Sequence, residues 1–299
     1  MIENALQKHL QAQEDLKPYL ATYAGVMAIF NQKAPADTDK LWGEGSQYGR
    51  IVCAVDMKDD PEREIGMTLA VDIMCKDGER NQIPEEIEPI VRPLIDGYFF
   101  STKDITLSAK WVNSNYFTEP QNKVCGVTLT FELLAFPLQT TTDPDPIELI
   151  NQWTSKELSE ISEKQITVIG QDILPEAWQP TDDKPAIYWR LGIVQKCNWI
   201  PDTYNCSWQT ATLYGHIMAP SKNVADLLAR LIDNTLTIKK RLIFDDNSPL
   251  MIDRTIHINP AADPMRAGQI SIEATYGILN IPRENKTKIK NIGFAERRI

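Results

Sequence analysis

The heptapeptide TLAVDIM at residues 68–74 returns in altered form as TLYGHIM at residues 212–218. Such echoes arise by chance in any chain, so the constraint lies in what flanks each copy. After the first comes a polar turn, CKDGERNQ, and then IPEEIEPIVRPLIDGYF; after the second come APSKN and VADLLARLIDNTL. In the second copy Val224, Leu227, Leu228, Leu231 and Ile232 recur at three- and four-residue spacing, the stripe of an amphipathic helix with one buried face. In the first, Ile83, Ile87, Ile90, Val91, Leu94 and Ile95 keep a similar spacing. Pro89 and Pro93 each remove a helical donor and crowd the preceding turn, which predicts a bent or irregular helix there. Both copies then reach the tripeptide LID, at residues 94–96 and 231–233.

Beyond each LID the period changes from helical to alternating. DITLSAKWVNSNYF and KVCGVTLTFELLAF follow the first, SPLMIDRTIHIN and GQISIEATYGIL the second, and these read as antiparallel hairpins with one covered face. Upstream, KAPADTDKLWGEGSQYGRIVCAVD matches LPEAWQPTDDKPAIYWRLGIVQKC, a proline-rich loop leading into an aromatic-bearing strand. Ahead of these stand two helical candidates, IENALQKHLQAQEDLKPYL and PIELINQWTSKELSEISE. Several features in matching order favour tandem repetition of one unit. The predicted class is α+β, with two tandem related domains at residues 1–139 and 147–281, each a small antiparallel sheet of about four strands with flanking helices. The stretch TTTDPDP at 140–146 reads as a linker across which few contacts are expected, and residues 282–299 as a basic tail.

Composition narrows the chemistry. A hydrophobic share of 42% and a charged share of 24% fit a globular protein, and no apolar run approaches the length needed to cross a bilayer. The N-terminus lacks the basic start and apolar stretch of a signal peptide, which predicts a cytoplasmic protein. Five cysteines form no C-x-x-C pair, and the three histidines, His9, His216 and His257, lie far apart. Neither a disulfide framework nor a metal site is therefore expected. Nucleotide-binding glycine loops, nucleophile elbows and zinc-protease signatures do not occur, so no catalytic residue, cofactor or enzymatic activity is expected. Glu85, Glu86 and Glu88 at a helix start are better explained by the helix dipole than by a metal.

Surfaces are left as the functional candidates. In the loop at 33–48, Pro35, Asp37, Asp39, Gly43 and Gly45 discourage regular structure, and Trp42, with Tyr48 at the loop's end, reads as the anchor of a docking arm whose loss would barely affect stability. The chain carries a net charge of −10, yet residues 280–299 hold six basic and two acidic side chains. Arg283, Lys286, Lys288, Lys290, Arg297 and Arg298, with Ile289, Ile292 and Phe294 as apolar pegs, read as an arm for the acidic face of a neighbouring subunit.

The order of elements, with the loop KAPADTDKLWGEGSQYGRIV, the strand ending in VDIM, the helix reaching LID and the closing hairpin, resembles the tail terminator, or tail completion, proteins of long-tailed bacteriophages. The resemblance spans residues 1–137 and recurs more weakly over 145–281. It implies a virion structural protein, assembled in the host cytoplasm, that forms a ring, most commonly a hexamer. Its partners would be the tail tube protein and a neck or head-completion protein, with DNA passing through the lumen unbound and no membrane involved. Alternatives are another neck, connector or baseplate component and, in a different class, a nucleic-acid-binding or processing protein drawn by the basic tail.

Overall fold

The structure is a computed structural model and describes residues 2–60, 64–78, 83–101, 105–139 and 143–279. The first half of the chain contributes helix α1 (Ile2–Gln11), a small hairpin of β1 (Thr22–Tyr23) and β2 (Val26–Met27), then β3 (Ile29–Asn31), β4 (Arg50–Asp60) and β5 (Glu64–Lys76). It continues with α2 (Pro84–Val91), β6 (Phe99–Ser101), β7 (Thr106–Glu119) and β8 (Val124–Ala135). The second half opens with α3 (Pro146–Trp153), a π turn and α4 (Ser159–Ser162), then β9 (Thr167–Val168), β10 (Ala177–Trp178), β11 (Ala186–Lys196) and β12 (Cys206–Met218). It closes with α5 (Lys222–Lys239), β13 (Arg241–Ile243), β14 (Pro249–Ile258) and β15 (Ile270–Leu279).

These strands correct the expected α+β class of small four-stranded sheets flanked by helices. The protein is mostly β, 41% strand against 24% helix, and is built on two large curled half-barrel sheets. One has seven strands in the order β10-β6-β7-β8-β5-β4-β3, the other six in the order β13-β14-β15-β12-β11-β9. The extra strands are the short ones, β3, β6, β9, β10 and β13. Two or three residues carry no period, and their extended form is set by the strand they pair with.

Position by position the two sheets follow one plan. In both, the outermost short strand, β3 or β9, joins its long neighbour in parallel. Thr68 and Thr212, which open the two echoes, lie opposite Glu132 and Glu273. Toward the other end Phe100 pairs with Leu107 in one sheet, as Leu242 pairs with Leu250 in the other.

Each sheet buries one face under its own helices. Ile51, Cys53, Leu69, Val71, Ile73 and Phe131 pack with Leu6 and Leu10 of α1 and with Ile87 and Val91 of α2. Ile187, Trp189, Leu213, Ile217 and Ile272 pack with Ile150 and Trp153 of α3 and with Leu228, Ile232 and Leu236 of α5. The prolines act as their chemistry requires: α2 stops at Val91, passes into a 3-10 turn over Arg92–Leu94, and Gly97 at φ +76° redirects the chain into β6. Free of prolines, α5 runs on for 18 residues.

A third apolar cluster joins the halves and overturns the expectation that few contacts cross. Phe99, Leu134 and Phe136 of the first half are buried against Ile169, Ala186, Tyr188 and Met218 of the second. Strand β10, from the second half, completes the first sheet by pairing with β6.

Candidate functional site

The face of each sheet turned away from its helices has two parts, one over the β4–β5 or β11–β12 hairpin and one over the hairpin and edge strand beyond it. In the second half the β11–β12 part is covered, because Tyr188 and Met218 lie in the junction. Its counterpart in the first half is an open cavity of about 680 Å³, lined by Asp37, Arg50, Asp72, Met74 and Glu119 among others.

The rim of that cavity is built by the loop at 33–48, which folds around Trp42. Asp39 caps the 3-10 turn Lys40–Trp42 by accepting from the Leu41 amide at 3.0 Å, and also accepts from the Tyr23 hydroxyl at 3.0 Å. The Trp42 indole donates from Nε1 to the Ala36 carbonyl and packs edge-on against Tyr23 and Phe30. Only 4% exposed, Trp42 is no surface anchor; it holds the loop to its own half while its neighbour Leu41 is 55% exposed. The expected near-zero stability cost of removing it is therefore revised upward.

Arg50 is the pivot between loop and sheet. Its side chain is 12% exposed; the guanidinium stacks over Tyr48 at 4.6 Å and pairs with Asp37 at 2.5 Å, while its Nε is buried with no hydrogen-bond partner. The Tyr48 hydroxyl donates to Asp37 at 3.0 Å. Burial first and the Asp37 carboxylate second push the Tyr48 phenol above its ordinary value, so it remains a donor. Asp72 accepts from Thr128 at 2.6 Å. The result is a recess lined by three carboxylates and one fixed guanidinium.

Reactive groups lie elsewhere. Burial pushes the Cys53 and Cys75 thiols up to about 12, so neither presents a thiolate near neutral pH. His9 is lowered by burial and lies against the Leu94 carbonyl; His216 meets the Pro264 carbonyl at 2.8 Å. Glu88 is buried and spent on Arg92 and Ser114, leaving Glu85 and Glu86 in the first turn of α2. Among the described residues no group of three or more His, Cys, Asp or Glu side chains is placed to hold a metal ion.

Exposed apolar residues collect instead near the tip of the β11–β12 hairpin, where Ile193 and Trp199 are 68% and 60% exposed. Arg283, Lys286, Lys288, Lys290, Ile292, Phe294, Arg297 and Arg298 lie outside the described residues. Sequence reasoning missed Arg50 and Asp72. Both are charges set inside apolar strand runs, GRIVCAV and TLAVDIM, and that interruption was the available signal. No protein-family model matches the chain, and no curated protein matches it.

Proposed function

We propose that the protein is a non-enzymatic virion structural protein of the tail terminator type, a ring-forming subunit that caps the tail tube and joins it to the neck. The observation that supports this most directly is the docking of two sheets of one plan through a built apolar junction, while charged and apolar outer surfaces stay open. Such a molecule is organised to be tiled. On this reading the partners are further copies of the chain, the tail tube protein and a neck or head-completion protein, and its place is the virion tail after assembly in the host cytoplasm. The formal charge of −10 would keep DNA from adhering to a lumen on its way through. Among the described residues no helix is long and apolar enough to cross a membrane.

Negative-stain imaging of the purified chain, alone and mixed with tail tubes, tests the reading. Rings that seat on one end of each tube and halt its growth are expected. Rings that ignore tube ends but capture a portal-side or baseplate protein would move the chain to another neck, connector or baseplate role. Failure to bind any tail component would end the proposal.

A further inference from the structure

The junction between the halves is heterologous. It uses the β6–β7–β8 side of the first sheet and the β11–β12 side of the second, which are different parts of the common plan. When two equivalent units meet through unlike surfaces, one complementary surface is left over at each end. Here the leftovers are the β4–β5 recess of the first half and the β13–β14–β15 side of the second.

We infer that these two surfaces bind each other between copies of the chain, so that the contact inside each chain is repeated from one chain to the next. The internal junction supplies the template. Its edge component is β10 added to β6, where the Ser101 amide also donates to the Glu176 carbonyl at 3.1 Å. Strand β13 holds the position of β6 and stands at the edge of its sheet, with Ile243 in the place of Ser101. On the other side the loop at 33–48 stands where β10 does, but Leu41 and Trp42 form a 3-10 turn and Trp42 is buried in its own half, so exposed Leu41 supplies an apolar contact rather than an added strand. Ile51 and Ile187 pair with the isoleucines of the two echoes, and counting back from them puts Trp42 and exposed Leu41 where the second half has Trp178 and Ala177.

The polar component is also templated. The β14–β15 connection carries Asp263 and Arg266 to Lys110 and Glu132 of the first half. The β7–β8 turn, its counterpart, presents exposed Glu119 and Lys123, and exposed Glu273 occupies the position of Glu132. Lys123 of one copy is thus matched to Glu273 of the next.

Charge is complementary as well. Exposed Arg241 replaces Phe99 at the edge, and the recess it would approach holds Asp72 and Met74 where the second half has His216 and Met218. An apolar junction suits two halves that fold together; a charged one suits chains that must stay separate until they assemble.

The experiment is the mass of the full chain in solution by sedimentation, with single and paired charge reversals. The native chain should self-associate into a closed ring or an open chain of copies, because a heterologous contact leaves one complementary surface free at each end until it closes. Lys123→Glu and Glu273→Lys should each weaken association about tenfold, and the double variant should recover most of it, since exchanged charges attract as the originals do. A monomer at concentrations up to about 1 mM, an assembly indifferent to both substitutions, or a double variant no better than the singles would each overturn the inference. It deepens the assembly reading above, but the two fail separately: rings that never seat on a tube leave this contact standing, and monomers that cap tubes remove it alone.

Discussion

At one cross-strand position of the first half Cys53 lies opposite Val71, and at the same position of the second half Trp189 lies opposite Gly215. Both pairs face the helix-covered core, and each fills a similar space in a different way. A Cβ added at Gly215 would sit 2.7 Å from the Trp189 ring, so the glycine is what admits the indole. The halves therefore keep a common backbone while exchanging volume between partners, and a pair is the smallest unit that can be swapped between them. Trp189→Ala should cost about 3–5 kcal/mol in chemical denaturation, from the lost burial and the lost Nε1 bond to Thr154. Gly215→Val alone should be destabilising by overpacking, about 1–3 kcal/mol. Joining Trp189→Cys to Gly215→Val copies the first half's pair, and the double variant should lie at least about 1 kcal/mol above the sum of its single variants. Simple additivity would mean that the two cores are not interchangeable at this point.

A second pair of positions separates the halves more sharply. Trp42 folds back onto Tyr23 and Phe30 of its own half, whereas Trp178 is half-buried against Phe99 of the other half, ring centroids 5.7 Å apart. Trp42→Ala should therefore lower first-half stability by about 2–4 kcal/mol and leave the second half's unfolding unchanged. If that substitution were silent in thermal unfolding, the indole would have to be on the surface after all.

Why the two tryptophans differ was not legible in the sequence, and the reason is physical. The loop composition around Trp42 correctly marked irregular backbone, and the prolines of α2 correctly marked a broken helix, because both effects are local. The alternation in β7, β8, β14 and β15 was equally plain, since a long strand with one covered face writes its period into the chain. The burial of Trp42 depends on Tyr23 and Phe30, which reach it only once β3 has joined β4. Short strands such as β6 and β13 carry too few residues to show a pattern, and without them the sheets look four-stranded. The junction was hidden for the same reason: Phe99 sits on one of those short strands.

The junction itself gives the next test. Proteolytic cutting within residues 140–142 should leave two folded halves that still migrate together, held by the Phe99 and Phe136 cluster and by the Tyr188 hydroxyl donating to the Pro137 carbonyl. Trp178→Ala should weaken that hold by about 1–2 kcal/mol and let the cut halves separate on gel filtration. Should the cut chain collapse into small peptides, the two sheets would share one core and the division into halves would be lost.

The smallest expected effect comes from the ion pairs that rim the junction. Burial alone would raise the Asp263 carboxyl, but the Lys110 ammonium at 2.9 Å and the Met265 amide outweigh it and hold the group below its ordinary value of 3.8. A carboxyl lowered on folding contributes stability that is fully present above the unfolded value and is lost as pH falls through the lower, folded one. The cut halves should thus keep their affinity from neutral pH down to about pH 4 and lose a little of it below that. Asp263 is a third exposed, so solvent screens the pair and the loss should stay under about 1 kcal/mol. Asp263→Asn should lower the affinity slightly at neutral pH and flatten this part of the acid dependence. The first half's open recess offers the contrast: Asp37 is already paired with Arg50 inside one half, so Asp37→Asn should leave the affinity of the cut halves unchanged at every pH. Equal acid sensitivity of the two variants would mean that charge at the junction is not organised by the pairs that cross it.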